Sequence, residues 1–438
     1  MTSEARYDRG VTNETTGTDP STDASAHRSA ELGIIVSRWP KVNDMYQLRE
    51  IVMLERLGMP IELFPLVRHS ETHSHPEGVA LGERAHFVKL ASMEVVRAQL
   101  TWLRRNPRGY LKCWWWGITA NLRAPDFLLR TFFIVPIAAA WALRMEQLGI
   151  RRTHAHFATY PAHAALVIKT LAGIPYSFTG HAHDLQIQRA GLEEKIRQAD
   201  FVMTCTRHSR DVLSDLYGPE AAAKIHVVYH GVETDTYTPQ PLPDDDGVRP
   251  FRVTCVAALK EYKGHPYLFR ACAELVRRGI PVELSIVGDG PDRADLEALV
   301  DQLGLRSATT FTGSVASPDV RHWIEWSDVC CVASVVAANG QLDGIPNFLT
   351  ESMAMGRPVV STNLPGIAEL ITDGETGLMV PANDAPALAD ALERLRRDPG
   401  LRRRLASAGR QLVEAEHDCE VNTRRCFDIY SAALARTR

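Results

Sequence analysis

The stretch Asp343–Gly356, D-G-I-P-N-F-L-T-E-S-M-A-M-G, combines a loop, a helix start and two carboxylates at a fixed spacing. Pro346 suits the first turn of a helix, where its missing N–H is not needed. A helix N-terminus presents unpaired backbone N–H groups and a partial positive charge, which favours phosphate. Glu351 falls about one turn inside this helix, near enough to accept hydrogen bonds from hydroxyl groups. The stretch therefore predicts a site for a diphosphate flanked by sugars. The spacing alone equally allows Asp343 to be a helix cap and Glu351 a solvated acid.

The pattern of an acid, seven residues and Glu, followed by S-M-A-M-G-R-P-V-V-S-T, resembles the donor-site signature of retaining family 4 glycosyltransferases with the GT-B fold. The usual first carboxylate of that signature is Glu, and Asp343 stands in its place with one methylene fewer. The resemblance implies that Glu351 holds the nucleotide ribose and Asp343 a sugar hydroxyl. It also implies a backbone that approaches the sugar or the phosphates at Gly344, Ile345, Pro346, Asn347 and Phe348.

Composition is that of a soluble globular enzyme with two or three domains. The chain has 438 residues, of which 45% are hydrophobic and 23% charged. A net charge of −4 argues against a nucleic-acid partner. The eight cysteines form no C-x-x-C pair. We therefore expect reduced, buried cysteines in a cytoplasmic protein, with no disulfide framework and no metal site.

Two segments bear on localisation. Residues 1–30 are rich in Thr, Ser, Asp and Ala and have no hydrophobic core region, so we interpret them as a disordered leader rather than a signal peptide. The longest apolar run, Phe127 to Leu143, is interrupted by Arg130 and Pro136. It is shorter than the ~20 residues that span a bilayer. The sequence thus predicts a soluble or peripheral protein.

The first domain, predicted over residues 31–237, opens with a strand from Leu32 to Val36, a loop and an amphipathic helix. Ligands of open α/β sheets lie beyond the carboxyl ends of strands, so the Pro40–Tyr46 loop is a candidate acceptor loop. It resembles the family's F-P-K-L-S-E-T-F loop, with Asn43 and Asp44 where Ser and Glu are usual. Both residues are therefore assigned to the acceptor side.

The segments H-A-H-F-A-T-Y-P and F-T-G-H-A-H-D resemble the family closely. They place His181 and His183 at the carboxyl end of a strand that begins at Tyr176. The resemblance implies that His181 contacts the donor sugar and positions it, and His183 is assigned to the acceptor side. The alternative is that these histidines are structural, as we consider for His154 and His156 within the preceding strand.

The stretch from Arg97 to Arg152 has ten Arg or Lys residues against two acids and is interleaved with Trp and Tyr. Basic side chains with Trp favour contact with an anionic membrane surface. The alternative is a core position for the aromatics and solvated helix faces for the cations. Peripheral contact with the inner face of the plasma membrane therefore stays one of two interpretations.

A second domain is predicted over residues 251–418, after a Pro- and Asp-rich linker over 238–250. Its first loop resembles G-R-L-x-x-x-K-G, in which Arg and Lys clamp the donor diphosphate. Lys263 matches, but Ala258 stands where Arg is expected, so Lys260 is the candidate substitute. The resemblance also implies that the backbone at Gly288 and Gly313 lies near the nucleotide. Gly366 and Glu369 are interpreted as structural, and residues 419–438 as a helix that crosses back to the first domain.

These observations predict an α/β protein of GT-B type, with two Rossmann-like, doubly wound parallel-sheet domains that face a central cleft. The implied function is retaining transfer of a hexose from a nucleotide diphosphate sugar to a saccharide or lipid-linked acceptor in cell-surface polysaccharide or glycoconjugate synthesis. No metal or other cofactor is expected. The absent arginine and Asp343 leave open a catalytically impaired nucleotide-sugar-binding protein. The G-D-G-P turn beginning at Gly288 leaves open a nicotinamide-dependent oxidoreductase. Against that alternative, this sequence has no glycine-rich phosphate loop after its first strand.

Overall fold

Two six-stranded parallel sheets form the framework of the computed structural model, which describes residues 30–40, 45–69, 76–243 and 248–437. The strands of the first sheet are β1 (Leu32–Trp39), β2 (Ile61–Arg68), β3 (Arg152–His156), β4 (Tyr176–Gly180), β5 (Val202–Thr204) and β6 (Ile225–Val227). Their spatial order is β2-β1-β3-β4-β5-β6. All strands are parallel, and the direction in which successive strands are added to the sheet reverses between β1 and β3.

The second sheet has its own reversal point. Its strands are β7 (Phe251–Val256), β8 (Val282–Val287), β9 (Thr309–Gly313), β10 (Val329–Val332), β11 (Val359–Thr362) and β12 (Leu378–Val380). The order β12-β11-β10-β7-β8-β9 puts the reversal between β7 and β10. Ligands of such sheets bind outside the carboxyl ends of the strands at the reversal, so each domain has one preferred binding edge.

Helices cover both sheets. Those that follow the strands of the first domain are α1 (Met45–Arg56), α2 (Pro76–Arg84), α3 (Met93–Arg105), α4 (Pro107–Thr119), α5 (Pro125–Leu148), α6 (Tyr160–Ala172), α7 (Ala182–Gln186), α8 (Leu192–Gln198) and α9 (Arg207–Ala222). Those of the second part of the chain are α10 (His265–Arg277), α11 (Arg293–Gln302), α12 (Ser317–Trp326), α13 (Asn347–Ala354), α14 (Ala385–Arg397), α15 (Pro399–Glu416) and α16 (Cys419–Arg436). The alternation of strands and helices confirms the predicted fold class.

Strand β2 lies in a stretch for which the sequence predicts no element. Pro65 interrupts its apolar pattern, yet β2 pairs only with β1 and forms the edge of the sheet. An edge strand tolerates proline because one side of its backbone needs no ladder hydrogen bond. The alternating pattern of a strand is therefore missing from the sequence because an edge strand can include a proline.

Helix α5 is longer than the apolar run in the sequence suggests. It has 24 residues, with Pro136 inside it, and by length and composition it is the one helix in the described residues that could cross a membrane. Most of its apolar side chains, among them Val135 and Trp141, are buried in the core of the first domain. This burial is equally typical of the core helix of a soluble domain.

Two segments near the predicted domain limits show with which hydrophobic core they pack. Val232 and Tyr237 precede the predicted linker but pack in the core of the second domain. Helix α16 packs its side chains, among them Tyr430, with the core around β1 and α1. The chain thus leaves the first domain before residue 237 and returns to it at the end. The predicted leader lies outside the described residues except for its last residue.

Candidate active site

Lys263 and Asp343 meet at the reversal point of the second sheet. Lys263 follows β7 and Asp343 follows β10, and these strands are neighbours. The Lys263 Nζ lies 2.7 Å from Asp343 Oδ1, and Ser334 donates its hydroxyl to the other carboxylate oxygen. Both groups are largely buried, with 14% and 10% of their side-chain surface exposed.

The ion pair determines the charge state of the lysine. Burial by itself lowers the pKa of Lys263, but the neighbouring Asp343 carboxylate outweighs it and leaves the pKa raised. A charged ammonium is thus held at the edge where the resemblance places the donor diphosphate. In this conformation both Asp343 oxygens have protein partners.

Helix α13 begins at Asn347, with Pro346 as its N-cap and no side-chain cap, so Pro346 directly precedes the first turn in which it was predicted. Gly344 and Ile345 form the loop before it. Asn347 is exposed, whereas the Phe348 side chain is buried in the core of the second domain. At this end of the helix the backbone is thus available to a ligand, and Phe348 contributes no side chain.

Glu351 faces the first domain. Arg49 of α1 places its Nη1 3.9 Å from Glu351 Oε1 and its Nε 3.5 Å from Glu233 Oε2. Burial raises the pKa of Glu351 to about 7, and Arg49 and a hydrogen bond with Tyr237 oppose the rise. Arg49 is a site residue that the sequence analysis missed, because its partner is in the other domain.

The predicted glycines separate into two groups. The backbone N–H of Gly288 donates to Gly313 O at 2.9 Å, so these two lie together beside β8 and β9. A Cβ at Gly288 would lie 2.1 Å from Ala257 O, at a φ of 142°. Gly344 instead packs against Gly366, whose added Cβ would lie 2.7 Å from the Gly344 backbone. Glycine is required at Gly288 and Gly366 by close backbone approach.

His181 stands directly after β4, as predicted, and is surrounded by rings. Its ring centroid lies 5.1 Å from Tyr46, 4.5 Å from Phe157 and 5.2 Å from His230. Asp184 accepts its backbone N–H at 2.7 Å. Burial lowers the pKa of His181 well below its usual range, so the imidazole is neutral at pH 7.

His154 and His156 of β3 are fully buried. The Nδ1 of His154 lies 2.9 Å from the Ser177 hydroxyl, and its Nε2 lies 2.9 Å from the Thr179 hydroxyl. Both ring nitrogens of His156 lack a hydrogen-bond partner among the described residues. A structural role through hydrogen bonds, which we considered for both histidines, is therefore observed for His154 only.

The charge of Lys260 in the second domain acts on His183 in the first domain. Burial lowers the pKa of His183, and the Lys260 charge lowers it further, while a hydrogen bond with Gln341 opposes the change. The Lys260 side chain is exposed beside the residue at which the family has arginine. A ligand between the domains would thus meet Lys260 and His183 together.

Glu369 binds the opposite domain rather than its own loop, which corrects the sequence interpretation. Its carboxylate accepts the backbone N–H groups of Arg207 at 2.7 Å and His208 at 2.8 Å, at the start of α9. The Tyr229 hydroxyl donates to it at 3.0 Å. An anion is favoured at a helix N-terminus, so this contact joins the two domains across the cleft.

A cavity of about 510 Å³ opens at the carboxyl ends of β1, β2 and β3. Its wall includes Arg38, Arg130, Phe133 and Phe157. Phe157 has a φ of 81°, which is rare for a bulky residue. Its ring separates the cavity from His181. Asn43 and Asp44 lie outside the described residues.

Helix α5, which lines this cavity, and helices α3 and α4, which pack against α5, expose apolar side chains at helical spacings. The exposed residues are Met93, Val96, Leu100 and Leu103 of α3, Leu111 and Trp115 of α4, and Leu129 and Phe132 of α5; we call this set the α3–α5 apolar face. Trp115 is 71% and Leu129 75% exposed. Exposed cations such as Arg108 and Lys112 lie on the same helices.

Two parallel-sheet domains with a charged site in the cleft between them form the GT-B architecture. A family model described as Glycosyltransferase Family 4 matches residues 83–236, and one described as Glycosyl transferases group 1 matches residues 250–398. Together the two ranges span more than half of the chain. The chain belongs to the family 4 glycosyltransferases.

Named relatives agree with this class. Over 169 residues the chain is 37% identical to the putative colanic acid biosynthesis glycosyltransferase WcaL of Escherichia coli, with 39% of this chain and 41% of that protein covered. Over 243 residues it is 30% identical to a GDP-mannose-dependent alpha-(1-6)-phosphatidylinositol monomannoside mannosyltransferase of Mycolicibacterium smegmatis, with 52% and 63% covered. The chain thus spans about half the length of these curated relatives.

A solved structure matches nearly the whole fold. The crystal structure of Anabaena Alr3699/HepE in complex with UDP has a TM-score of 0.67, covering 92% of this chain and all of that chain. The sequence identity is 16%, so this likeness shows the fold alone.

Proposed function

We propose that the protein is a retaining glycosyltransferase that moves a hexose from a nucleotide diphosphate sugar to a saccharide or lipid-linked acceptor in cell-surface polysaccharide or glycoconjugate synthesis. The observation that carries the proposal is the buried Lys263–Asp343 ion pair beside the start of α13. A cation and a helix N-terminus supply the positive charge that a departing diphosphate needs.

The roles follow from the placement of the groups. Lys263 neutralises charge as the bond between the anomeric carbon and the diphosphate oxygen breaks, and Lys260 takes the place of the arginine absent at Ala258. Binding of the donor frees Asp343 from part of its contact with Lys263, so that its carboxylate can accept a sugar hydroxyl. Glu351 accepts the ribose hydroxyls, and His181 orients the sugar for attack on the same face.

The acceptor belongs in the cavity beside Phe157. Arg38 and Arg130 suit a phosphate-linked group, and Phe133 and Ile134 suit an apolar chain. The α3–α5 apolar face with its cations extends from the same helices, as expected for a protein that meets its acceptor at the inner face of an anionic membrane. This supports a lipid-linked acceptor and a peripheral cytoplasmic location.

The nucleotide is a separate question. One relative is named for GDP-mannose and one structural neighbour contains UDP. Calorimetric titration of the full chain with UDP, GDP and ADP therefore tests the donor class. We expect one nucleotide to bind selectively and Lys263→Ala to lose that binding.

Turnover distinguishes an enzyme from an impaired binder. With the selected donor and membrane lipid extract, we expect release of the nucleotide together with a product that keeps the donor's anomeric configuration by NMR. An inverted product would contradict the retaining mechanism. Selective binding without any turnover would favour the alternative that Ala258 and Asp343 suggest, a catalytically impaired nucleotide-sugar-binding protein.

A further inference from the structure

Three side chains with metal-binding atoms meet at one edge of the first sheet. His181 directly follows β4, Cys205 directly follows β5, and His230 comes three residues after β6. These strands are parallel neighbours, so their carboxyl ends lie side by side. The topology therefore gathers residues that are far apart in the sequence.

The atoms that point at one another are nitrogen, nitrogen and sulfur. His181 Nδ1 lies 3.3 Å from His230 Nε2, and Cys205 Sγ lies 3.5 Å from the first nitrogen and 3.0 Å from the second. A tetrahedral zinc ion with ordinary bonds to nitrogen and sulfur separates neighbouring ligand atoms by roughly 3.3 to 3.6 Å. Two of the three distances match, and the third needs a shift of about 0.5 Å.

The cluster is poorly explained as a hydrogen-bonded group. A neutral imidazole offers one donor and one acceptor, and the thiol is a weak donor, so three mutually close atoms cannot all be paired well. The other ring nitrogen of His181, Nε2, is buried without a hydrogen-bond partner in the described residues. A cation among the three atoms would satisfy all of them at once.

We propose that His181, Cys205 and His230 bind a thiophilic divalent cation of the zinc type. Two imidazoles and a thiolate are ligands that zinc prefers, and three protein ligands leave a fourth position for water. A cavity of about 30 Å³ adjoins one of the three ligands, His230, and is large enough for one water. The Cys205 thiol gives up its proton when the metal–sulfur bond forms.

The site has a consequence for catalysis that rests on the proposed function. A bound ion fixes the His181 ring in the cluster and withdraws it from the donor sugar. The cation therefore acts as a reversible inhibitor of transfer. Metal binding itself does not depend on the protein being an enzyme.

The first test uses the full, reduced, metal-free chain and Co²⁺ as a spectroscopic probe. We expect one Co²⁺ per chain, with the visible bands of a tetrahedral ion and a near-ultraviolet thiolate-to-metal band that Zn²⁺ abolishes. Cys205→Ala should remove the thiolate band and weaken Zn²⁺ binding by more than about 100-fold, since even outer-shell partners account for 10–100-fold. An unchanged affinity would overturn the proposal.

Matched controls exclude the other thiols and histidines. Cys113→Ala changes a buried cysteine of the same domain, and His226→Gln changes an exposed histidine four residues before His230. Both should keep the wild-type spectrum, while His230→Gln loses it. If Cys205→Ala does not fold, His230→Gln decides the question alone, because retained Co²⁺ bands there would also overturn the site.

Inhibition is measured last, with the chelator-treated enzyme as reference. Transfer should fall as Zn²⁺ occupies the site and return on addition of EDTA, whereas His230→Gln should resist Zn²⁺. If Zn²⁺ binds through Cys205 but transfer continues, the inhibitory role is overturned while the metal site stands. If no transfer is seen without metal, the proposed function fails and the Co²⁺ result is unaffected.

Discussion

The proposed donor and acceptor sides of the cleft are built from different kinds of contact. On the donor side, charged groups meet at short range, with Lys263 2.7 Å from Asp343. On the acceptor side, an open cavity of about 510 Å³ has partly apolar walls next to exposed apolar helices. The donor side is thus organised by directional charge contacts, while the acceptor side is organised by shape. We expect substitutions on the donor side to have the larger effects.

The largest effect is expected from Lys263→Ala. Loss of the ammonium removes charge stabilisation of the leaving diphosphate, and comparable losses reduce kcat by about 10²–10³-fold. Steady-state kinetics with the identified donor measure this, with Arg306→Ala on the surface of the same domain as the control.

The same variant leaves Asp343 buried without its cation, which costs about 3–5 kcal/mol of unfolding free energy. Adding Asp343→Asn should restore most of the stability but none of the rate, as followed by denaturant unfolding and by kinetics. A double variant that regains activity would contradict a direct role for Lys263.

A smaller effect is expected from Lys260→Ala. A charge-assisted hydrogen bond is worth about 1.5–3 kcal/mol, which corresponds to a loss of roughly 10–100-fold in kcat/KM. Introducing Ala258→Arg in that background restores the family cation and should recover the rate. If Lys260→Ala is neutral, Lys260 is not the substitute for the absent arginine.

The pH dependence of nucleotide binding tests Glu351. Burial raises its pKa from the usual 4.5 to about 7, so the carboxyl is protonated in acid and ionised in base. Ribose hydroxyls bind the ionised form better, so affinity should fall up to about tenfold per pH unit as pH decreases below the folded-state pKa. Glu351→Gln should bind weakly with a flat profile, and calorimetry from pH 6 to pH 8 compares the two. A steep profile that persists in the variant would assign the titration elsewhere.

Glu351 also contributes a pH-dependent term to stability. A carboxyl whose pKa is raised on folding stabilises the fold below its unfolded-state pKa, and this term is lost as pH rises from 4.5 to about 7. The Glu351→Gln variant lacks the term, so its unfolding free energy should depend less on pH in that window.

The smallest effect is expected on the acceptor side. Lys112 is exposed on α4, and one cation near an anionic surface contributes about 1 kcal/mol. Lys112→Ala should therefore weaken binding to vesicles that contain anionic lipid by about fivefold. Arg306→Ala should have no effect, and equal losses in the two variants would argue against a defined membrane face.

The parts of the donor site predicted from sequence are those with local signals. Lys263, Asp343 and Glu351 follow strands that alternate regularly with helices, so the topology alone places them at one edge. Their catalytic roles stay predictions. The edge strand β2 was not predicted, since Pro65 breaks its pattern.

The groups that the sequence analysis missed have distant partners. Arg49 approaches Glu351, Glu369 binds the start of α9, and Cys205 meets two histidines, in each case across long stretches of chain. No spacing rule reports such encounters, because those of Arg49 and Glu369 depend on how the two sheets face each other and that of Cys205 depends on the strand order of the first sheet. The order of strand ends in the first sheet is the one signal that would have found the Cys205 cluster.

Glu369 has a kinetic consequence. In the proposed transfer reaction, release of the nucleotide product follows separation of the domains, and separation breaks the hydrogen bonds that this carboxylate makes with Arg207, His208 and Tyr229. The time for which the product stays bound therefore depends on a contact remote from the reacting atoms. Selection for faster turnover would act on Glu369, whereas selection for a different sugar would act elsewhere.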